Sequence, residues 1–391
     1  MVRRGNRGRS SGRPGSRLIL ALLLLTLWAA APGAGRAQEP GGASAAKTPQ
    51  LGTEGMAREF RELADGLLAA GKYEKALKFL KQAVFMAPDD PETQCRLALV
   101  YLKLGRFDEA IKALRQAILF KADYLEAHQI LGSAYILQQR PQEAVTVLEQ
   151  ALRLQPNQPQ GHANLGAAYF MLNRFPEAVE AYDRALALAP DHAAALLGRG
   201  EAYANLGRYD EAVASIQESL RRRPQCAEAH LALAAALSNL GRYDAALSAL
   251  KEVTRLKADQ AEGYYGLGLM HAMRGDYREA VTAYQMAIRL RPEYIQAMTG
   301  LGEALAKLGQ SDQAEAILQQ AIRLKPDDAG AHFALGRVYA EYGRRGAALE
   351  EYERLKGINL NLAQELFQVI LWERGSGAAV RDWRVWGRMK P

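Results

Sequence analysis

Residues 193–226 read AAALLGRGEAYANLGRYDEAVASIQESLRRRPQC, and the pattern returns every 34 residues. Downstream come Leu237, Gly241-Arg242-Tyr243-Asp244 and Ala246; upstream come Gly166, Tyr169, Arg174-Phe175, Ala178 and Pro190. A fixed period of this size means one small structural unit stacked on copies of itself. The register runs from Ala57 to Leu362 without insertion or gap. Nine repeats result: 57–90, 91–124, 125–158, 159–192, 193–226, 227–260, 261–294, 295–328 and 329–362.

Numbering each repeat from 1 to 34 exposes its physics. Bulky or small apolar residues recur at positions 4, 7, 8 and 11, and again at 17, 20, 24 and 27, which predicts two amphipathic helices of about 14 residues. Position 20 is Ala throughout, from Ala76 to Ala348, and position 8 is only Gly or Ala, so the paired helices are expected to approach closely. Seven repeats carry Gly at position 15, where a left-handed residue ends the first helix; Gln139 and Asn173 replace it in the other two. Pro at position 32, as in Pro190 and Pro224, stops the second helix. Asp90, Asn157 and Asp328 follow that stop and are expected to cap the next helix.

These residues resemble the tetratricopeptide repeat family: a bulky residue at 4, Leu at 7, Gly or Ala at 8, Tyr at 11, Ala at 20 and 27, Pro at 32. The resemblance implies an all-α fold, a right-handed superhelical solenoid of helix-turn-helix repeats with a concave groove lined by the first helices. Position 4 is never Trp here, and the ninth repeat lacks its Pro and has Leu355 at position 27.

The ends differ from the repeats. Residues 1–37 hold seven Arg and no acid, then the uncharged run from Leu18 to Ala31 and the small residues before Gln38. That is the plan of a secretory signal peptide, too short in its apolar core to span a membrane comfortably. Residues 38–56 read as a flexible linker, 363–372 as a capping helix, and 373–391 as a basic tail with Trp383 and Trp386. The net charge of +7 belongs to the leader, because the remaining bases and acids are equal in number. A nucleic-acid surface on the repeats is therefore disfavoured. Membrane contact is expected only through the leader or the tail.

Chemistry is expected to be absent. His128, His162, His230 and His332 all occupy position 4, and equivalent positions in adjacent repeats lie roughly 10 Å apart, too far to share a metal. They read as packing residues. No nucleophile elbow, phosphate-binding Gly loop or Cys-x-x-Cys occurs, so no catalytic residue, metal or cofactor is assigned. Cys95 and Cys226 stand three repeats apart and read as free thiols.

If the family geometry holds, positions 2, 5, 6, 9, 12 and 13 face the groove. The candidate peptide-binding residues are then Leu99, Leu102, Ile130, Ile136, Phe170, Met171, Leu197, Leu231, Tyr265, Leu269, Met273 and Phe333. Each either meets a ligand or packs between neighbouring repeats. Charges gather towards the ends, with Arg58, Arg61 and Asp65 early and Glu303, Lys307, Arg337 and Glu341 late. The family's carboxylate clamp is missing, and only Asn164 stands where its asparagine ladder would be. The expectation is a non-enzymatic, exported, periplasmic scaffold that grips extended or helical segments of other proteins. The alternatives are a membrane-anchored assembly factor with an uncleaved leader, and a lumenal co-chaperone.

Overall fold

The computed structural model describes residues 52–372. The leader, residues 38–51 of the linker and the basic tail lie outside these described residues, and residues 53–56, read from the sequence as linker, belong to the first helix. All regular structure within them is helical. In order the helices are α1 Thr53–Ala69, α2 Tyr73–Met86, α3 Pro91–Lys103, α4 Phe107–Phe120, α5 Leu125–Leu137, α6 Pro141–Leu154, α7 Pro159–Met171, α8 Phe175–Leu188, α9 Ala193–Asn205 and α10 Tyr209–Arg222. They continue as α11 Ala227–Asn239, α12 Tyr243–Leu256, α13 Ala261–Arg274, α14 Tyr277–Leu290, α15 Ile295–Lys307, α16 Ser311–Leu324, α17 Ala329–Glu341, α18 Arg345–Ile358 and α19 Leu360–Trp372. The fold class is the all-α, right-handed superhelical solenoid of paired helices. Two compact units divide at Pro224 and Gln225.

In the N-terminal unit, each odd-numbered helix packs on the even one that follows, and successive odd helices also touch: α1 with α3, α3 with α5, α5 with α7 and α7 with α9. The C-terminal unit repeats the arrangement, with α13 on α15, α15 on α17 and α17 on α19. First helices thus line one face of each unit, and second helices the other.

The repeated register has direct physical causes. Every Ala at position 20 has no exposed surface, including Ala76, Ala178, Ala212 and Ala348. Gly207 ends α9 with φ of 76°, and Gln139 and Asn173 adopt 57° and 59° at the same register, as the spacing predicts. Asp90 caps α3 by accepting from the N–H groups of Glu92 and Thr93, each at 3.2 Å. Asp328 caps α17 by accepting from Ala331 N at 3.1 Å. Asn157 makes no such cap: the residue preceding α7 is Gln158, which contributes no side-chain bond. Asn157 stands one position too early, since Asp90 and Asp328 occupy position 34 and it occupies 33.

Two interactions absent from the sequence pattern recur. An Arg at position 16 lies over the Tyr at position 11, at 4.5 Å for Arg208 on Tyr203 and 4.7 Å for Arg140 on Tyr135. Position 4 is more than packing. Nε2 of His128, His162 and His332 lies 2.8 Å from the carbonyls of Ala122, Pro156 and Pro326, and Gln94 donates to Pro88 O at 3.0 Å. Position 4 therefore satisfies the carbonyl at position 32 of the preceding repeat, which the broken helix leaves open.

Candidate functional site: the faces of the first helices

In the N-terminal unit, the charges on the first-helix face neutralise one another. Arg61 Nη1 donates to Asp90 Oδ2 at 2.6 Å, and Arg96 bridges Glu126 at 3.0 Å and Asp65 at 3.3 Å. These pairs tie α1, α3 and α5 together. A polar chain continues across α5, α7 and the α8–α9 turn: Asn164 donates to Ser133 Oγ at 3.0 Å, accepts from Gln160 at 2.8 Å, and Gln160 meets His192 at 3.2 Å. The Asn164 amide is thus engaged by its neighbours, and it is 4% exposed.

Most apolar candidates on this face are interior. Leu102, Ile130, Ile136, Phe170 and Leu197 are all buried, Ile136 completely, whereas Leu99 and Met171 are half-buried. Leu102, Ile130, Ile136 and Phe170 belong to the apolar core of this unit, and Leu99 and Met171 pack against it. Glu201, at position 9 of α9, is buried as well. Burial pushes its carboxyl up to about 8, and Oε2 has no hydrogen-bond partner among the described residues. Cys95 and Cys226 are free thiols, and burial raises both.

The C-terminal unit presents a more open face. Leu231 on α11 and Tyr265 and Met273 on α13 are half-buried, and Leu269 keeps 38% of its surface. At position 12 these repeats carry Ser238 and Ala272, where repeats 3 and 4 carry Ile136 and Phe170. Tyr265 is braced by Tyr294 at 5.1 Å and Tyr284 at 6.0 Å between ring centroids. Phe333 on α17 is buried.

Beyond this apolar patch the face turns polar. Arg337 Nη1 lies 3.2 Å from Glu303 Oε1, and Lys307 Nζ lies 2.9 Å from Glu341 Oε1. Loss of water around Glu303 raises its carboxyl, and Arg337 and Lys307 pull it back down. The late charges named from sequence are therefore cross-linked between α15 and α17. Opposite signs at matching positions of consecutive repeats were the available signal for that pairing. Among the described residues, no group of three or more His, Cys, Asp and Glu side chains is placed to hold a metal ion, and no helix is long and apolar enough to cross a membrane.

The class defined by these features is a helical-repeat scaffold, an α-solenoid of paired helices. Residues 157–365 match the family profile described as Cilia and flagella-associated protein 70 C-terminal domain. Residues 67–134 match a profile described as Tetratricopeptide repeat, and 132–173 one described as TPR repeat. The first match spans more than half of the 391 residues, and the chain belongs to that family of tetratricopeptide repeat domains. Among curated proteins, none matches. Among solved structures, the chain is similar to a thermophilic TPR protein of Thermus thermophilus, at 27% identity over 46% of this chain and 99% of that one, with a TM-score of 0.40. It is similar to PilF of Pseudomonas aeruginosa at 19% identity over 53% and 94%, with a TM-score of 0.48. It is also similar to the APC/C hetero-tetramer Cut9–Hcn1 at 15% identity over 81% and 90%, again with a TM-score of 0.48.

Proposed function

We propose that the protein is a non-enzymatic scaffold that binds a peptide or helical segment of another protein on the first-helix face of its C-terminal unit. The observation that carries this reading is the accessible patch of Leu231, Tyr265, Leu269 and Met273, bordered by the Glu303–Arg337 and Lys307–Glu341 pairs. Apolar side chains of a bound segment would displace water from that patch, at about 25 cal/mol for each Å² covered. The charged border would fix register rather than supply most of the affinity. Selection from a displayed peptide library tests this. Peptides enriched on the wild-type protein should share apolar anchors and fail to bind Leu269→Asp; absence of enrichment, or equal binding by the variant, defeats the reading.

The leader motivates the second half of the proposal, export to a periplasmic or comparable compartment with removal of residues 1–37. N-terminal sequencing of the native protein decides it. A chain beginning at Gln38 supports export, while Met1 or Val2 supports the membrane-anchored assembly factor.

A further inference from the structure

The overall charge balance of the repeats conceals a local segregation on the second helices of repeats 1 and 2. Position 29 stands in the last turn of each second helix. Five repeats place Arg there, as Arg153, Arg221, Arg255, Arg289 and Arg323, where the negative end of the helix dipole favours a cation. Repeats 1 and 2 place Phe85 and Leu119 there instead. Neither gains burial in return: Phe85 is 88% exposed and Leu119 72%, the two most exposed large apolar side chains among the described residues. Position 30 shows no such contrast, since Phe120 keeps 45% of its surface and Leu154, in repeat 3, keeps 46%.

The residues that share this helix face are basic. Lys78 and Lys81 precede Phe85 by seven and four residues, so the three form one exposed stripe on α2. Lys112 holds the register of Lys78 on α4 and precedes Leu119 by seven. From Lys78 to Met86, and from Lys112 to Phe120, there is no acid. The acids of these helices lie in their first turns, at the other end. Asp108 accepts from Gln138 at 2.8 Å, Arg106 holds Glu109 at 2.6 Å, and Glu74 lies in the field of the same Arg106. Beyond the helix ends, Lys121 offsets Asp123, and Asp89 alone stands against the three lysines. Arg115, at position 25 of repeat 2, donates to the Tyr135 hydroxyl at 2.7 Å and faces Glu143, so its charge is engaged within the fold. No other repeat carries bases at both positions 22 and 25.

We propose that this face of repeats 1 and 2 docks on a membrane surface rich in anionic phospholipid, with Phe85 and Leu119 entering the headgroup–acyl boundary and Lys78, Lys81 and Lys112 set against the headgroup phosphates. Two observations select a lipid surface. The lysines complement its negative charge. The apolar side chains project singly, one repeat apart, and their exposure leaves no groove walls around them. A fluid interface moulds itself around such projections, whereas a protein partner is matched by a contiguous, well-packed patch. The surface belongs to the N-terminal unit and shares no residue with the peptide-binding patch of the C-terminal unit.

The test uses the full chain with p-benzoylphenylalanine in place of Phe85, irradiated with vesicles of phosphatidylglycerol and phosphatidylcholine in equal parts. Protein–lipid adducts are then measured by mass spectrometry. The same photoprobe in place of Arg289, at position 29 of repeat 7, is the register-matched control for protein drawn to vesicles through its leader or tail. Adducts at 85 should exceed those at 289 by roughly fivefold or more, and should fall roughly tenfold or more when Lys78→Glu, Lys81→Glu and Lys112→Glu are combined. Vesicles of phosphatidylcholine alone should give a similar loss. The three lysines are exposed, so the combined variant should keep the wild-type circular dichroism spectrum. If it does not, Leu119→Arg decides instead: it restores the residue type of five other repeats and should lower the adducts at 85 several-fold. Equal adducts at 85 and 289, or equal adducts with and without the anionic lipid, overturn the proposal. So does cross-linking from 85 to a second copy of the chain in place of lipid, which would make this face a contact between copies.

Discussion

Ile216 on α10 closes over Gly200 on α9 so tightly that a Cβ added to the glycine would stand 2.5 Å from Ile216 Cγ1 and 3.1 Å from the carbonyl of Ala212. This contact explains why Gly200 carries no side chain, at a register position that is Gly or Ala in every repeat. Gly200→Leu should therefore force the helices apart and cost about 1–3 kcal/mol as overpacking. Urea titration should place its midpoint below that of the wild type. An unchanged midpoint would mean that α9 and α10 accommodate the larger side chain by sliding.

Gln139 adopts φ of 57° where seven other repeats use glycine. Its side chain incurs the left-handed penalty of roughly 1–2 kcal/mol, part of which glycine returns as entropy of the unfolded chain. Gln139→Gly is expected to stabilise the protein by up to about 1 kcal/mol, read as a rise in melting temperature. Asn173→Gly should gain less, because asparagine tolerates this conformation better.

Glu201 supplies a pH dependence with a definite sign. Its folded carboxyl titrates at about 8 against an ordinary 4.5, so between those values the native state holds a proton that the unfolded chain releases. Stability should consequently fall as pH rises from about 5 to about 8, by a few kcal/mol at most from this group. Glu201→Gln cannot ionise and should lose less over the same interval. Parallel pH profiles for the two proteins would show that Glu201 ionises in the fold without penalty.

The helices were legible in the sequence because period, small residues and helix stops all repeat in one register. Position 20 alone identifies the packing contact, since every one of its alanines is buried. The candidate binding face was harder to read. A groove position says where a Cβ points, but exposure depends on which residues pack around it. Leu197 and Leu269 both occupy nominal groove positions, 5 and 9, yet one is 1% exposed and the other 38%. The histidines illustrate a second gap: position 4 accepts His and Gln because each donates to the same carbonyl, and hydropathy carries no trace of that role.

That contrast between Leu197 and Leu269 separates binding from folding. An aspartate at position 197 would be an ionised carboxylate sealed among apolar side chains, a change that costs several kcal/mol unless the group neutralises or the helix moves. Leu197→Asp should thus lower stability sharply and disturb the N-terminal unit. Leu102 and Phe170 are buried too, so aspartate there would test folding rather than recognition. At 269 the new carboxylate would remain hydrated, and the melting temperature should change little. Its effect would be confined to the apolar patch beside Tyr265 and Met273, where an unpaired charge opposes burial under a bound segment. Circular dichroism melts of both variants, set against binding of a selected peptide, check this. Loss of binding with intact melting in Leu269→Asp is the expected outcome, and a large drop in its melting temperature would place Leu269 in the core instead.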